Sequence, residues 1–322
     1  MTSPGTASST TPRVWAEAID RLNRAVCGVI RGKDEVVKLA LVSLFAGGHL
    51  LIEDVPGVGK TTLARALARS FDCAFQRIQF TSDMLPSDVI GTSVFSLETQ
   101  RFEFRPGPIF ANVVLADEIN RTTPKTQSAL LEAMNEDQVT VEKTTHPLPK
   151  PFLVIATQNP IEHHGTYPMP ESQLDRFLMR MRMGYPSAQS EREILAARNP
   201  LQAIEPVMSA DEVIEVQEAA RAVTVDHDLV SYTLAIVEKT RQHEYLSLGV
   251  SPRGSLSLYR AAQALALVEG RSYSIPDDFK RLVVPVLAHR CVVSTRYIST
   301  LKQSDQAEAI LREIADSTPV PM

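Results

Sequence analysis

The chain has 322 residues, 44% of them apolar, and a net charge of -5. That length fits two domains, one large and one small, with enough apolar side chains for a sizeable core. A constitutive nucleic-acid binder usually carries a basic excess, so the acidic balance argues against that role.

Residues Met1 to Pro12 are rich in Ser, Thr, Pro and Gly, with almost nothing to bury, and read as a disordered tail at 1–12. They carry no apolar secretory segment. The apolar stretch Leu39 to Ile52 is interrupted by Gly47-Gly48-His49 and is too short to span a bilayer. Cys27, Cys73 and Cys291 are far apart, odd in number and without a CxxC pattern. They read as reduced thiols of a soluble, cytoplasmic protein.

From Val14 to about Gly184, helical stretches alternate with short apolar runs, the pattern of an α/β fold. Five core strands are expected at Leu50–Glu53, Phe75–Phe80, Val113–Ala116, Phe152–Ala156 and Phe177–Met181. The third and fourth are unbroken apolar runs, as central strands covered on both faces require. Thr123-Pro124 should open a helix that runs through Gln127, Leu130, Leu131 and Met134. Two hairpins are expected, one over Val94–Leu97 and Phe102–Phe104. The other runs out over Gln138–Glu142, turns at Lys143-Thr144-Thr145 and returns toward Leu148.

After Tyr185-Pro186 the strand signals stop. Ser190-Glu191-Arg192-Glu193 and Ser209-Ala210-Asp211-Glu212 have the form of capping boxes. Val213, Val216 and Ala220 share one helical face, as do Leu229, Thr233, Ile236 and Val237, and then Leu258, Ala262, Leu265 and Val268. A fourth helix opens at Ser274-Ile275-Pro276-Asp277, and Pro285 should kink or break it. The expected division is an α/β core at 13–187 and a helical domain at 188–322.

Three segments carry chemistry. The strand Leu50–Glu53 leads into Asp54-Val55-Pro56-Gly57-Val58-Gly59-Lys60-Thr61-Thr62 and then into helical Leu63–Leu67. Strand, glycine-rich turn and helix together wrap backbone N–H groups and a helix N-terminus around phosphates. Gly57 and Gly59 allow close approach, Lys60 faces the β- and γ-phosphates, and the Thr61 hydroxyl is a Mg2+ ligand candidate. The run Val55 to Thr62 is thus the phosphate-binding loop, with Asp54 standing where the strict motif has glycine. Second, the apolar strand Val113–Ala116 ends in Asp117-Glu118. Asp117 would hold Mg2+ through water and Glu118 would polarise the attacking water. Third, the strand Phe152–Ala156 ends in Thr157-Gln158-Asn159-Pro160, where the Asn159 amide can orient that water. Arg176 precedes the fifth strand. Arg253 sits in the first turn of a helix, where a cation is disfavoured unless it meets an anion.

With these residues in place the sequence resembles the AAA+ ATPases, and within them the MoxR family, over about Arg24 to His289. Its most family-like stretches are Ile52–Thr61, Asp117-Glu118-Ile119-Asn120-Arg121, Gln127–Met134, Thr157–Glu162, Gly165–Pro168 and Gln173–Phe177. The resemblance implies a five-stranded parallel sheet, an all-α lid, and ATP with Mg2+ in the crevice between them. It makes the hairpins the helix-2 insert and the pre-sensor-1 hairpin. It assigns Asn159 as sensor 1, Arg253 as sensor 2 and Arg176 as an arginine finger reaching a neighbouring subunit. That geometry implies a homo-oligomeric ring, usually a hexamer. MoxR proteins are chaperone-like ATPases that work with a von Willebrand factor A domain partner to mature or activate client proteins. Two departures stand out: His163-His164 replaces the usual Gln-Glu, and Ile30-Arg31-Gly32-Lys33 replaces a Val-Gly-Gln style segment near the adenine. The competing readings are a nucleic-acid motor of the same clade and a nucleotide-gated scaffold with little turnover. The charge balance opposes the first and the intact Glu118 the second. A GTPase is excluded because no Asn/Thr-Lys-x-Asp motif occurs.

Overall fold

The computed structural model describes residues 14–160, 165–196, 201, 204–294 and 303–321. The expected tail at 1–12 and the pair His163-His164 lie outside these residues. In chain order the strands are β1 (Leu50–Glu53), β2 (Phe75–Gln79), β3 (Gly91–Ser96), β4 (Arg101–Pro106), β5 (Val113–Asp117), β6 (Gln138–Val141), β7 (Thr144–Pro147), β8 (Leu153–Gln158), β9 (Met179–Met181), β10 (Leu246–Leu248) and β11 (Val292–Val293). The helices are α1 (Ala16–Cys27), α2 (Asp34–Phe45), α3 (Lys60–Ser70), α4 (Pro86–Ile90), α5 (Pro124–Glu136), α6 (Glu171–Leu174), α7 (Ala188–Ala196), α8 (Ala210–Arg221), α9 (His227–Gln242), α10 (Pro252–Val268), α11 (Pro276–Leu287) and α12 (Gln303–Ser317).

Five strands form one parallel sheet in the order β2-β5-β8-β1-β9. Period-two alternation sends its side chains to two cores. Leu50, Ile52, Val113, Leu115, Leu153 and Ile155 join α1, α2, α3 and the helices of the second half in one buried cluster. Leu51, Val114, Ala116, Val154 and Ala156 pack on the other face with Leu130, Leu131 and Met134 of α5. Both faces are covered, which is why the interior strands are apolar throughout. The hairpins β3–β4 and β6–β7 stand apart as two-stranded sheets. The second half is helical and also holds the short antiparallel pair β10–β11. Its last helix, α12, returns to the sheet. Arg180 of β9 pairs with Glu53 of β1 and Glu308 of α12, each at 3.2 Å, and Arg182 pairs with Asp305 at 2.6 Å.

Four local details differ from the sequence reading. The fifth strand begins at Met179 rather than Phe177, because the Phe177 and Leu178 carbonyls accept the Arg290 guanidinium instead of a ladder partner. The second hairpin turns at Glu142-Lys143, with Glu142 at φ 57° and Thr144 already paired to Val141. Helix α7 starts before Ser190, whose N–H is capped by the Ser187 hydroxyl at 3.1 Å. Helix α11 continues past Pro285 to Leu287. The box at Ser209 forms as expected, with Glu212 answering the Ser209 N–H at 2.7 Å. Thr123 does precede α5, but its hydroxyl faces that of Thr126.

Two histidines are sealed in this fold. His49 Nδ1 accepts the Val154 N–H at 3.1 Å, so Nε2 carries the hydrogen and donates to the Met134 carbonyl at 2.9 Å. His289 donates from Nε2 to the Phe177 carbonyl, and its Nδ1 is buried without a partner. Burial lowers the affinity of both rings for a proton, and Arg290 and Arg180 lower that of His289 further. In the unfolded chain both protonate near pH 6.5; in the folded chain they do so only at lower pH. Between those values the unfolded state binds more protons, so stability falls as the pH drops below 6.5. Each ring contributes up to about 1.4 kcal/mol per pH unit there. The thermal midpoint should therefore be lower at about pH 5.5 than at about pH 7.5, and His49→Gln should reduce that difference. An equal drop in parent and variant would remove His49 as a source.

Candidate nucleotide site

The carboxyl ends of the parallel strands open on one edge, where open α/β sheets bind ligands. β1 delivers the loop Asp54–Gly59. Gly57 and Gly59 have φ of 86° and 103°, a left-handed backbone that side chains other than glycine rarely adopt. Gly59 precedes α3, whose first turn contains no acidic residue. The free N–H groups and the positive end of the helix dipole therefore face this loop uncompensated, a ready anion cradle. Lys60 is buried, and its ammonium donates to the Asp54 carbonyl at 2.7 Å. Burial pushes its pKa down, while Asp117, Asp54 and Glu118 pull it up.

β5 delivers the acidic pair. Asp117 is buried; its Oδ1 accepts the Thr157 hydroxyl at 2.6 Å. Its Oδ2 accepts two N–H groups of Arg77, at 3.0 Å from Nε and 2.5 Å from Nη2. The same Thr157 oxygen accepts the Glu118 N–H at 2.9 Å. Glu118 is held at φ 58°, an uncommon conformation for a residue with a side chain. Its carboxylate accepts from Gln79 at 2.8 Å and pairs with Arg121 at 3.2 Å. β2 thus lines up Arg77 and Gln79, two residues apart on one face, against the two acids.

Two adjoining cavities share Gly57, Gly59 and Thr62. The first, about 330 Å³, is lined by Pro56, Lys60, Thr61, Arg77, Asp117, Glu118 and Asn159 as well as the shared residues. The second, about 240 Å³, is lined by Val29, Ile30, Arg31, Lys33, Val58, Pro186 and Ile194. One is ionic and bounded by the helix N-terminus; the other is largely apolar. The pair suits a phosphate chain joined to a planar base. A larger hollow of about 830 Å³ near Arg65, Arg69 and Pro206 contains none of the motif residues, so size alone does not select the site.

The structure thus brings together Lys60, Thr61, Asp117, Glu118 and Asn159, and lines the same region with every loop residue from Pro56 to Thr62. Val55 lines neither cavity; its N–H donates to Asp54 Oδ1 at 2.8 Å. Arg176 and Arg253 line neither cavity either. Arg253 is exposed in the first turn of α10. The oxygens of Thr61 and Asp117 on one cavity wall are hard donors of the kind Mg2+ takes alongside phosphate. Among the described residues, no group of three or more His, Cys, Asp or Glu side chains forms a metal site, and no helix is long and apolar enough to cross a membrane. The sequence reading missed Arg77, Gln79 and Thr157. Their only signal was a polar side chain at a strand position beside a motif.

The class is that of the AAA ATPases. Residues 49–179 match the ATPase family associated with various cellular activities (AAA), and residues 238–314 match the AAA lid domain. A protein from Cytophaga hutchinsonii, named for an inferred ATPase activity, has a crystal structure that superposes with a TM-score of 0.88. The two chains are 36% identical and each is covered to 97%. The chain is 50% identical to the uncharacterized protein YeaC of Bacillus subtilis, over 95% of this chain and 94% of that one. It is 42% identical to the Chaperone MoxR1 of Mycobacterium tuberculosis, over 95% and 84%. Protein MoxR of Paracoccus denitrificans is 30% identical over 95% and 97%. This chain belongs to the MoxR family of AAA+ ATPases.

Thr157 fixes both acids through one oxygen. Replacing it by valine keeps the volume and removes the hydroxyl. Thr157→Val should lower ATP turnover about ten- to hundredfold while leaving ATP binding within a few-fold. Unchanged turnover, measured by phosphate release, would show that the hydroxyl does not position the pair.

Proposed function

We propose that this protein hydrolyses ATP with Mg2+ at the carboxyl edge of its sheet, as a ring-forming, chaperone-like ATPase. The observation that carries the reading is a single cavity that gathers the phosphate loop with Asp117, Glu118 and Asn159. Lys60 and the α3 N-terminus bind the phosphate chain. Glu118 accepts a proton from the attacking water and Asn159 orients that water. Thr61 and Asp117 would hold Mg2+, which when bound neutralises charge on the phosphates.

Charge supports a shared site. Lys60 and Arg77 are the cations of this cavity, and Asp117 and Glu118 balance them formally. Arg77 is already committed to Asp117. A triphosphate adds several negative charges, and the transition state for its cleavage needs further cationic help. In this reading Arg176, half-buried and outside this cavity, gives that help to a neighbouring copy. Arg253 serves as the lid's sensor. A homo-oligomeric ring, a hexamer in the family pattern, follows from this reading. So does a division into a core at 13–187 and a lid at 188–322. Action on client proteins with a von Willebrand factor A domain partner, in the cytoplasm, rests on the family resemblance and on the chaperone name of the mycobacterial relative.

Lys60→Ala should abolish ATP binding in calorimetry. Glu118→Gln should retain binding and lose turnover by two or more orders of magnitude, in line with the roughly 10²–10⁴-fold scale of a positioned base. A Glu118→Gln protein with full phosphate release would overturn the hydrolytic assignment. Mixed Arg176→Ala and Glu118→Gln subunits should regain part of the activity that each lacks alone. If a confirmed ring shows no rescue, the arginine does not act across subunits.

A further inference from the structure

Asp54 stands where the strict phosphate-loop motif has glycine, and every polar atom it owns is engaged. Its N–H extends the β1–β8 ladder to the Gln158 carbonyl at 3.2 Å, and its own carbonyl accepts Lys60 at 2.7 Å. Oδ1 accepts the Val55 N–H at 2.8 Å. Oδ2 accepts the Met183 and Gly184 N–H groups at 2.7 and 2.6 Å. A buried carboxylate with three backbone donors is a strong, directional anchor. A glycine in its place would leave the Met183 and Gly184 N–H groups without this acceptor.

Met183 and Gly184 lie in the connection from β9 to α7. Gly184 turns it with φ 65°. At the next residue the Tyr185 carbonyl accepts the Lys33 ammonium at 2.7 Å. Pro186 then forms part of the apolar cavity wall, and Lys33 with Ile30 and Arg31 forms another part. One short connection is therefore tied from two sides, by the phosphate loop through Asp54 and by the Ile30–Lys33 turn through Lys33. It also joins the sheet to the helical half.

We propose that Asp54 is a positioning residue for the nucleoside end of the ligand: through Met183 and Gly184 it fixes Pro186, and the cavity wall it forms, relative to the phosphate loop. Lys33 holds the same connection from the other side. The inference rests on the ATP reading above. Its sign differs from that of simple electrostatics. Removing a carboxylate beside Lys60 should favour a polyphosphate anion, with or without a base. Releasing the wall should weaken only ligands that carry a base.

Calorimetry with ATP and with inorganic tripolyphosphate, on the full chain with Mg2+, separates these effects. Asp54→Gly should bind ATP roughly five- to thirtyfold more weakly and tripolyphosphate as well as or better than the parent. Lys33→Met should weaken ATP in the same sense with tripolyphosphate little changed. The double variant should lose less than the product of the two, because both act on one connection. Equal losses for both ligands in Asp54→Gly would reduce Asp54 to shaping the loop, and equal gains would leave only its charge; either overturns the proposal. Should Asp54→Gly fail to fold, unchanged ATP binding by Lys33→Met overturns it instead. A parent protein that binds tripolyphosphate as tightly as ATP removes the base cavity and this inference with it. One that binds neither overturns the ATP reading itself.

Discussion

A parallel sheet sends the carboxyl ends of its strands to one edge, and the phosphate loop, Asp117, Glu118 and Asn159 depend on that constraint. β1 ends in the phosphate loop, β5 in Asp117, β8 just before Asn159, and β9 in the run toward Met183. The order β2-β5-β8-β1-β9 places the acids and Asn159 on one side of the loop and the exit to the helical half on the other. Register then sets distances that no loop could hold alone. Gln79 lies beside Asp117, and Glu53 beside Gln158. Such a sheet exists only if both faces are covered. The two apolar clusters are therefore what holds the ionic edge in place.

The helical half is joined to the opposite edge of the sheet, where β9 begins, by a buried cation. The Arg290 guanidinium donates to the Asp175 carbonyl at 2.7 Å, to the Phe177 carbonyl at 2.5 Å and to the Ser257 hydroxyl at 3.1 Å, and it pairs with the Asp175 carboxylate. Its Nε donates to Val286 at 2.8 Å. Burial works against its charge, and Asp175 offsets that. A buried guanidinium is tolerable only when its donors are met, and here backbone carbonyls meet most of them. Those carbonyls flank Arg176 on both sides. The segment that carries the proposed finger is thus held by a residue of the helical half, 114 positions later in the chain.

This explains what could be read from the sequence and what could not. The loop at Lys60, the acids after β5 and the apolar strands were legible because each is a local pattern: a turn between strand and helix, a carboxylate at a strand end, a continuous run. Arg77 and Gln79 fall inside the expected strand Phe75–Phe80 with no local pattern that gives them a role. Their meeting with Asp117 and Glu118 depends on a pairing between segments about forty residues apart. Phe177 and Leu178 have the composition of a strand, yet their carbonyls are taken by Arg290, and nothing near them in the sequence says so. The hydroxyl of Thr157 was hidden for a related reason. In the sequence the residue is only the first of Thr157-Gln158-Asn159-Pro160, and its partners lie on another strand.

Two residues at the site and one in the helical half break a local rule, and their compensation differs. Asp54 replaces a glycine and gains three backbone donors for its carboxylate. Glu118 accepts a left-handed backbone, a strain of about 1–3 kcal/mol, and is held there by Thr157, Gln79 and Arg121. In both, the offsetting contacts lie within the chain, so the conformation is set before any ligand arrives. Arg253 places a cation in the first turn of a seventeen-residue helix, against the dipole, and its side chain is exposed. No contact in the chain offsets that placement among the described residues. A rule broken without a visible gain is most often repaid by function, and the anion that the proposed sensor role gives Arg253 would repay this one.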